Sequence, residues 1–258
     1  MRERKIKQIS TIVGFIILSF NTAFANNDME LITLADKQRM LSQRIAKDYL
    51  YVGKEVASSK ANKQLEKSLD SFLESHKKML LTTKDSDIKN LLEFVKLSLD
   101  DLKSITTEKF SVDNAQLILD LTESMLEGSQ YIFDSLKKSV DLNESENIVK
   151  SSKQLILSQR IAKYYIAYQL GIKDLNSVKS MKKTVDEFSH NLDSLMKVTT
   201  NTPEMNKKLK EINKLWKIVH KFYNNIEKGG LPLIVFNTTD TITRKMDEIT
   251  MMYLSMHK

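Results

Sequence analysis

The chain contains no cysteine, and its 258 residues hold only two prolines and six glycines. Without cysteine there is no disulfide framework, no thiolate metal site and no cysteine nucleophile. The scarcity of helix breakers, against plentiful Leu, Lys, Ser, Met and Glu, leaves few places to interrupt helices and excludes an all-β or loop-rich fold. Dense Lys/Arg tracts are missing too. The formal charge of +7 is spread along the chain, which argues against a nucleic-acid footprint. A chain of this length can bury enough apolar surface to fold without disulfides.

The first 25 residues read as a targeting segment. Arg2, Arg4, Lys5 and Lys7 form a positive start, Ile9 to Phe20 is a short apolar stretch, and Ala23-Phe24-Ala25 offers small residues for cleavage before Asn26. The apolar run falls short of the ~20 residues of a comfortable membrane span, so an exported, periplasmic protein is expected. An uncleaved inner-membrane tether is the alternative. Cleavage removes four basic residues and Glu3, which lowers the formal charge to +4.

What the chain does have is a repeated word. Leu-Ser-Gln-Arg-Ile-Ala-Lys stands at 41–47 and again at 157–163, and Lys37-Gln38 and Tyr49 recur as Lys153-Gln154 and Tyr165. Self-similarity at a fixed offset marks one structural unit used twice. The expected units are 26–142 and 143–258. Apolar residues follow the helical period at Leu34, Leu41, Ile45 and Val52, at Leu65, Leu69, Phe72 and Met79, and at Leu209, Ile212, Trp216 and Val219.

Punctuation supplies the boundaries. Thr202-Pro203 reads as an N-cap with proline at the first helical position. Asp85 or Ser86, and Ser111, can open helices, Asn143 with Glu146 resembles a capping pair, and Gly229-Gly230-Leu231-Pro232 is a stop and restart. Helices are expected at 28–58, 61–82, 86–106, 112–140, 144–171, 174–199, 203–228 and 232–257. The fold class is all-α, as two tandem four-helix bundles.

On the first helix two stripes separate. Leu34, Gln38, Leu41, Ile45 and Val52 suit the bundle's own core, and Ala35, Arg39, Ser42, Ala46 and Tyr49 suit the close approach of a partner helix. The second copy of the latter reads Ser151, Leu155, Ser158, Ala162 and Tyr165. Ser42, Gln43 and Arg44, repeated as Ser158, Gln159 and Arg160, are kept in both copies and are expected to serve the fold. Arg39 is unique to the first copy. If its stripe is covered, the charge needs an anion or a carboxylate, and its planar fork suits a carboxylate or a small planar oxyanion. The competing reading is a solvated arginine or a surface ion pair, as most arginines are.

Lys37 to Lys47, Lys-Gln-Arg-Met-Leu-Ser-Gln-Arg-Ile-Ala-Lys, resembles the opening helix of the PilJ-type domain, the N-terminal domain of type IV pilus methyl-accepting chemotaxis transducers. That domain is similar in turn to the periplasmic sensor domain of NarX-like nitrate/nitrite sensor kinases. The resemblance implies a helical sensor bundle, often homodimeric. In nitrate-binding members, the arginine before this Met grips the anion at the dimer interface, which assigns that role to Arg39 with Gln38, Ser42 and Gln43 nearby. Two departures stand out: Asp36 replaces a glycine, and no second span, HAMP linker or kinase follows within the chain. A signal would therefore pass to a separate membrane receptor.

Enzymatic readings find no support. His76, His190, His220 and His257 fall on different helices without metal-ligand spacing, and no phosphate loop or nucleophile elbow occurs. No cofactor or metal is expected. The methionines, Met251, Met252 and Met256 among them, and Trp216 read as core, and Asn143 lies in an acidic sequon as well as at a helix start. The expected function is recognition of a small anion such as nitrate or nitrite by a periplasmic sensor-type protein. The rival is a periplasmic helical adaptor that contacts another protein and binds no small ligand.

Overall fold

The computed structural model describes residues 29–139 and 146–256, and among them it contains eight α-helices and no strand. The helices are α1 at 29–53, α2 Ser58–Thr82, α3 Ser86–Thr106, α4 Val112–Ser139, α5 Glu146–Gln169, α6 Leu175–Met196, α7 Pro203–Asn224 and α8 Pro232–Met256, with a 3-10 turn Ile226–Lys228 before the last. None is long and apolar enough to cross a membrane. The targeting segment and Asn143 lie outside the described residues.

Local chemistry accounts for most of these ends. Asp85 accepts from the backbone N–H groups of Asp87 and Ile88 and so caps α3. Ser111 Oγ accepts from the Asn114 N–H at the start of α4. Thr202 caps α7 with Pro203 in its first turn. The restart at 229–232 is made by Gly229, at φ 74°, a backbone conformation that glycine adopts without penalty.

One boundary departs from the expected 28–58 helix. α1 stops at 53, and the turn to α2 passes through Glu55 and Ala57 at φ 59° and 51°. Neither is a glycine or asparagine, so composition does not announce the left-handed turn. Gly53 serves another purpose: a Cβ there would lie 2.0 Å from the Phe110 ring.

Two apolar cores result. One gathers α1 to α4 around Leu41, Ile45, Phe72, Leu92 and Ile132. The other gathers α5 to α8 around Ile161, Phe188, Leu209, Trp216 and Met246. Trp216 is core as expected, its indole N–H donating to Ser189 Oγ at 3.1 Å. Met251 and Met256 instead stand exposed on α8. The units are not separate beads: Met40 packs against both cores, and Ile166, Ala167 and Phe236 of the second half join the first core.

Candidate functional site

The repeated word pins each unit together. Gln43 Nε2 donates to the Thr122 carbonyl oxygen of α4 at 3.2 Å. Gln159 Nε2 donates to Thr243 Oγ1 of α8 at 2.7 Å, and the hydroxyls of Ser158 and Thr243 are 2.8 Å apart. Ser42 and Ser158 bond back to the carbonyls of Arg39 and Leu155. Buried side chains with these bonds hold the first helix of each unit against the last.

The same word also joins the units, reciprocally. Lys47 of α1 reaches Asp240 of α8 at 2.7 Å, and Lys163 of α5 pairs with Glu123 of α4. Both lysine ammonium groups are fully buried. Thr122-Glu123 and Thr239-Asp240 are matching dipeptides in the two closing helices. Each copy therefore lends its lysine to the other copy's acid, which is the pattern of a two-fold interface, here within one chain. At its centre Asp36 meets the Ser152 hydroxyl, 116 positions on and so its own counterpart in the repeat.

Burial works against these charges and partners answer it. Burial, with some help from the Asp240 charge, pushes Asp48, fully enclosed beside Lys47, up to about 6 even though Lys47 and Arg44 pull the other way. It lowers Lys163 to about 8 despite Glu123. Glu123, one-third exposed, is held below the ordinary carboxylate range: Lys163 and Arg160 outweigh its own desolvation. Burial likewise disfavours the charge on both Asp36 and Arg39, each then steadied by the other.

Arg39 lies within its own unit. Its Nη1 donates to Asp36 at 2.6 Å and its guanidinium stands 4.4 Å from the centre of the Phe133 ring on α4. Tyr49, further along the stripe, packs on Phe110 just before α4. The stripe expected to meet a partner subunit is thus covered by α4, because Ala35, Ser42 and Ala46 let that helix come close. Gln38 is fully buried and its amide has no hydrogen-bond partner among the described residues.

The opposite side of α1 borders a cavity of about 660 Å³ between α1, α5 and α8. Asp36, Met40 and Arg44 line it from α1; Ile148, Ser152 and Leu155 from α5; Asp240, Asp247 and Met251 from α8. Gln38, Arg39, Ser42 and Gln43 do not. Leu155, the counterpart of Arg39, does. The cavity falls in the size range of small-molecule sites, which is ~300–1,000 Å³.

Residues 20–107 match the family model described as type IV pili methyl-accepting chemotaxis transducer N-term, PilJ. The match covers about a third of the chain, spans α1 to α3 and includes the first copy of the repeated word. No curated protein and no solved structure matches the chain. The matched segment supplies the α1 wall of the cavity and Lys60 and Gln64 of α2, while α5 and α8 lie beyond it.

The histidines do not converge. His76 is buried on α2, its charge disfavoured first by burial and then by Lys96. His190 and His220 stand on α6 and α7, and His257 lies outside the described residues. No group of three or more metal-ligating side chains occurs among the described residues. The cavity is lined by Arg44, expected from the sequence to serve the fold, and by Asp247, which the sequence did not single out. Arg44 was masked by being common to both copies, and Asp247 by carrying no motif.

Proposed function

We propose that this chain is a PilJ-type sensory input module that reads a small molecule in the cavity between α1, α5 and α8. The observation that carries the proposal is the cavity's position. It opens on the junction where the two halves of the chain meet, so an occupant touching both would bias how they pack. The match of residues 20–107 to a transducer N-terminal domain supports a sensory role. The leader-like first 25 residues support export to the periplasm, and a separate membrane receptor would take the signal onward.

The anion reading survives in altered form. A cavity of about 660 Å³ holds roughly 20 waters at ~30 Å³ each, far more than a planar four-atom anion needs. Nitrate at Arg39 would have to displace Asp36. A homodimer built on the Arg39 stripe would have to displace α4, whereas the chain already brings two copies of the repeated helix together. A single chain is therefore a sufficient sensing unit in this reading.

Calorimetric titration of the purified protein with nitrate, nitrite, carboxylates and amino acids tests it, alongside Ile148→Trp to fill the cavity and Arg39→Ala. Binding abolished by Ile148→Trp supports the cavity. Binding that survives Ile148→Trp but not Arg39→Ala moves the site to Arg39.

No heat from any compound, with helicity intact, favours the adaptor. That second reading has one observation on its side. Phe94, which lies against Gly128, and Leu97 of α3 and Tyr131 of α4 are all half or more exposed.

A further inference from the structure

Three arginines of the repeated helices differ in how they are satisfied. Arg39 donates to Asp36 at 2.6 Å, and Arg160 donates to Glu123 at 2.6 Å and lies 3.4 Å from the Tyr164 hydroxyl. Arg44, the counterpart of Arg160, makes no hydrogen bond among the described residues. Its approaches to Asp48 and Asp240 are both 3.9 Å, too long to be hydrogen bonds. Three-quarters of its side chain is covered and it borders the cavity; its Nε is buried without a partner, as are those of Arg39 and Arg160, so the difference lies in its terminal nitrogens. A guanidinium holds five donors in a fixed fork, and here none of them reaches a carboxylate at hydrogen-bond distance among the described residues.

The nearby acids do not absorb this charge. Asp240 already takes Lys47 at 2.7 Å, Gln64 at 2.7 Å and Lys60 at 3.2 Å. Asp48 is shared with Lys47 at 3.1 Å. Asp36 belongs to Arg39, and Asp247 feels Arg44 ahead of Asp36 but forms no ion pair with it among the described residues. Lys60, half exposed, adds a second positive group beside Arg44 at this end.

Away from Arg44 the lining turns apolar. α1 and α8 run antiparallel here, since Lys47 meets Asp240 while Asp36 lies near Asp247. Beyond those two acids, Met29 and Ile32 face Met251 and Leu254. From Met29 to Arg44 is fifteen residues of helix, about 22 Å at 1.5 Å each. The cavity thus has one apolar end and one charged end, where Arg44 and Lys60 outnumber Asp240.

We infer that the ligand is an amphipathic carboxylate, its carboxylate gripped by Arg44 with help from Lys60 and its apolar body lying along α1 and α8 toward Met29. This deepens the sensory reading above and rests on it. Arg44 recognises the ligand only in the first copy, because in the second copy Glu123 occupies Arg160.

Three probes with one tail and different heads test this by calorimetry on the purified protein: octanoate, octanol and octyltrimethylammonium. The expected result is that octanoate binds best. Arg44→Gln should weaken it at least about tenfold, the worth of one charge-assisted hydrogen bond. Arg44→Lys should keep part of the affinity, and Arg160→Gln should leave it unchanged. Octanol binding as well as octanoate, or the ammonium binding better, overturns the inference but keeps the cavity as a ligand site. Equal losses in Arg44→Gln and Arg160→Gln overturn it too, pointing to a general effect on packing. If none of the three binds to a folded protein, both this inference and the cavity reading fall.

Discussion

Arg44 and Arg160 hold the same place in the two copies of one word, yet Arg160 donates to Glu123 at 2.6 Å while Arg44 comes no closer than 3.9 Å to any carboxylate among the described residues. The difference lies in the acids opposite. Asp240 is one methylene shorter than Glu123 and is already met by Lys47, Lys60 and Gln64. A reciprocal interface is therefore symmetric in its lysines and asymmetric in its arginines.

The two halves of that interface should differ in cost. Asp240→Ala leaves Lys47 fully buried with only the poorly solvated Asp48, and is expected to destabilise by about 3 kcal/mol. Glu123→Ala should cost less, about 1.5 kcal/mol. Lys163, already near 8, can shed its proton at neutral pH for ~1.4 kcal/mol per unit, and Glu123 is one-third exposed. Urea unfolding of both variants at pH 7 reads the order; a larger loss for Glu123→Ala contradicts it.

Asp48 should leave a signature in the pH dependence of stability. Its folded value of about 6 lies above the ~3.9 of an unfolded aspartate, so the native state binds more protons between those two values. Stability from this group is full below about pH 4 and is lost as pH rises through 6, by roughly 3 kcal/mol in all. Asp48→Asn should flatten that part of the profile and gain stability at pH 8 relative to wild type. An unchanged slope between pH 4 and 6 would show that Asp48 ionises normally.

Converting the first copy to the second tests the Asp36–Arg39 pair. Arg39→Leu alone strands a buried carboxylate and is expected to cost about 3 kcal/mol. Adding Asp36→Ser reproduces the Ser152/Leu155 pair of the second copy and should recover most of it. A double-mutant cycle measures the coupling, and additive losses would mean the pair is not energetically joined.

Gly53 is held by Phe110, which in turn packs on Tyr49 at 5.4 Å between ring centres. Gly53→Ala should push the ring away and destabilise by about 1–3 kcal/mol, as overpacking does. Gly53→Ala combined with Phe110→Leu should recover part of the loss in thermal unfolding. No effect of Gly53→Ala would mean that the ring moves freely.

The all-helical content and most helix boundaries could be read from the chain itself. Capping residues such as Asp85 and Thr202 act locally, and the helical period records which faces are buried. The turn at 54–57 escaped because Glu55 and Ala57 take left-handed backbone without the residues that usually signal it.

Periodicity says that a face is covered, not by what. The Ala35–Arg39–Ser42 stripe was legible as a close-approach surface, but only tertiary structure decided that α4 covers it rather than another subunit. The repeated word was legible as a word; its two meanings were not. Gln43 and Gln159 act within a unit, Lys47 and Lys163 act between units, and both depend on residues 40 to 193 positions away. The sequence by itself determined the helices and their repetition, because those follow from neighbours three and four residues apart. The cavity and the unpaired Arg44 were decided by how α1 lies against α5 and α8, since long-range packing alone chooses which acid a buried cation can reach.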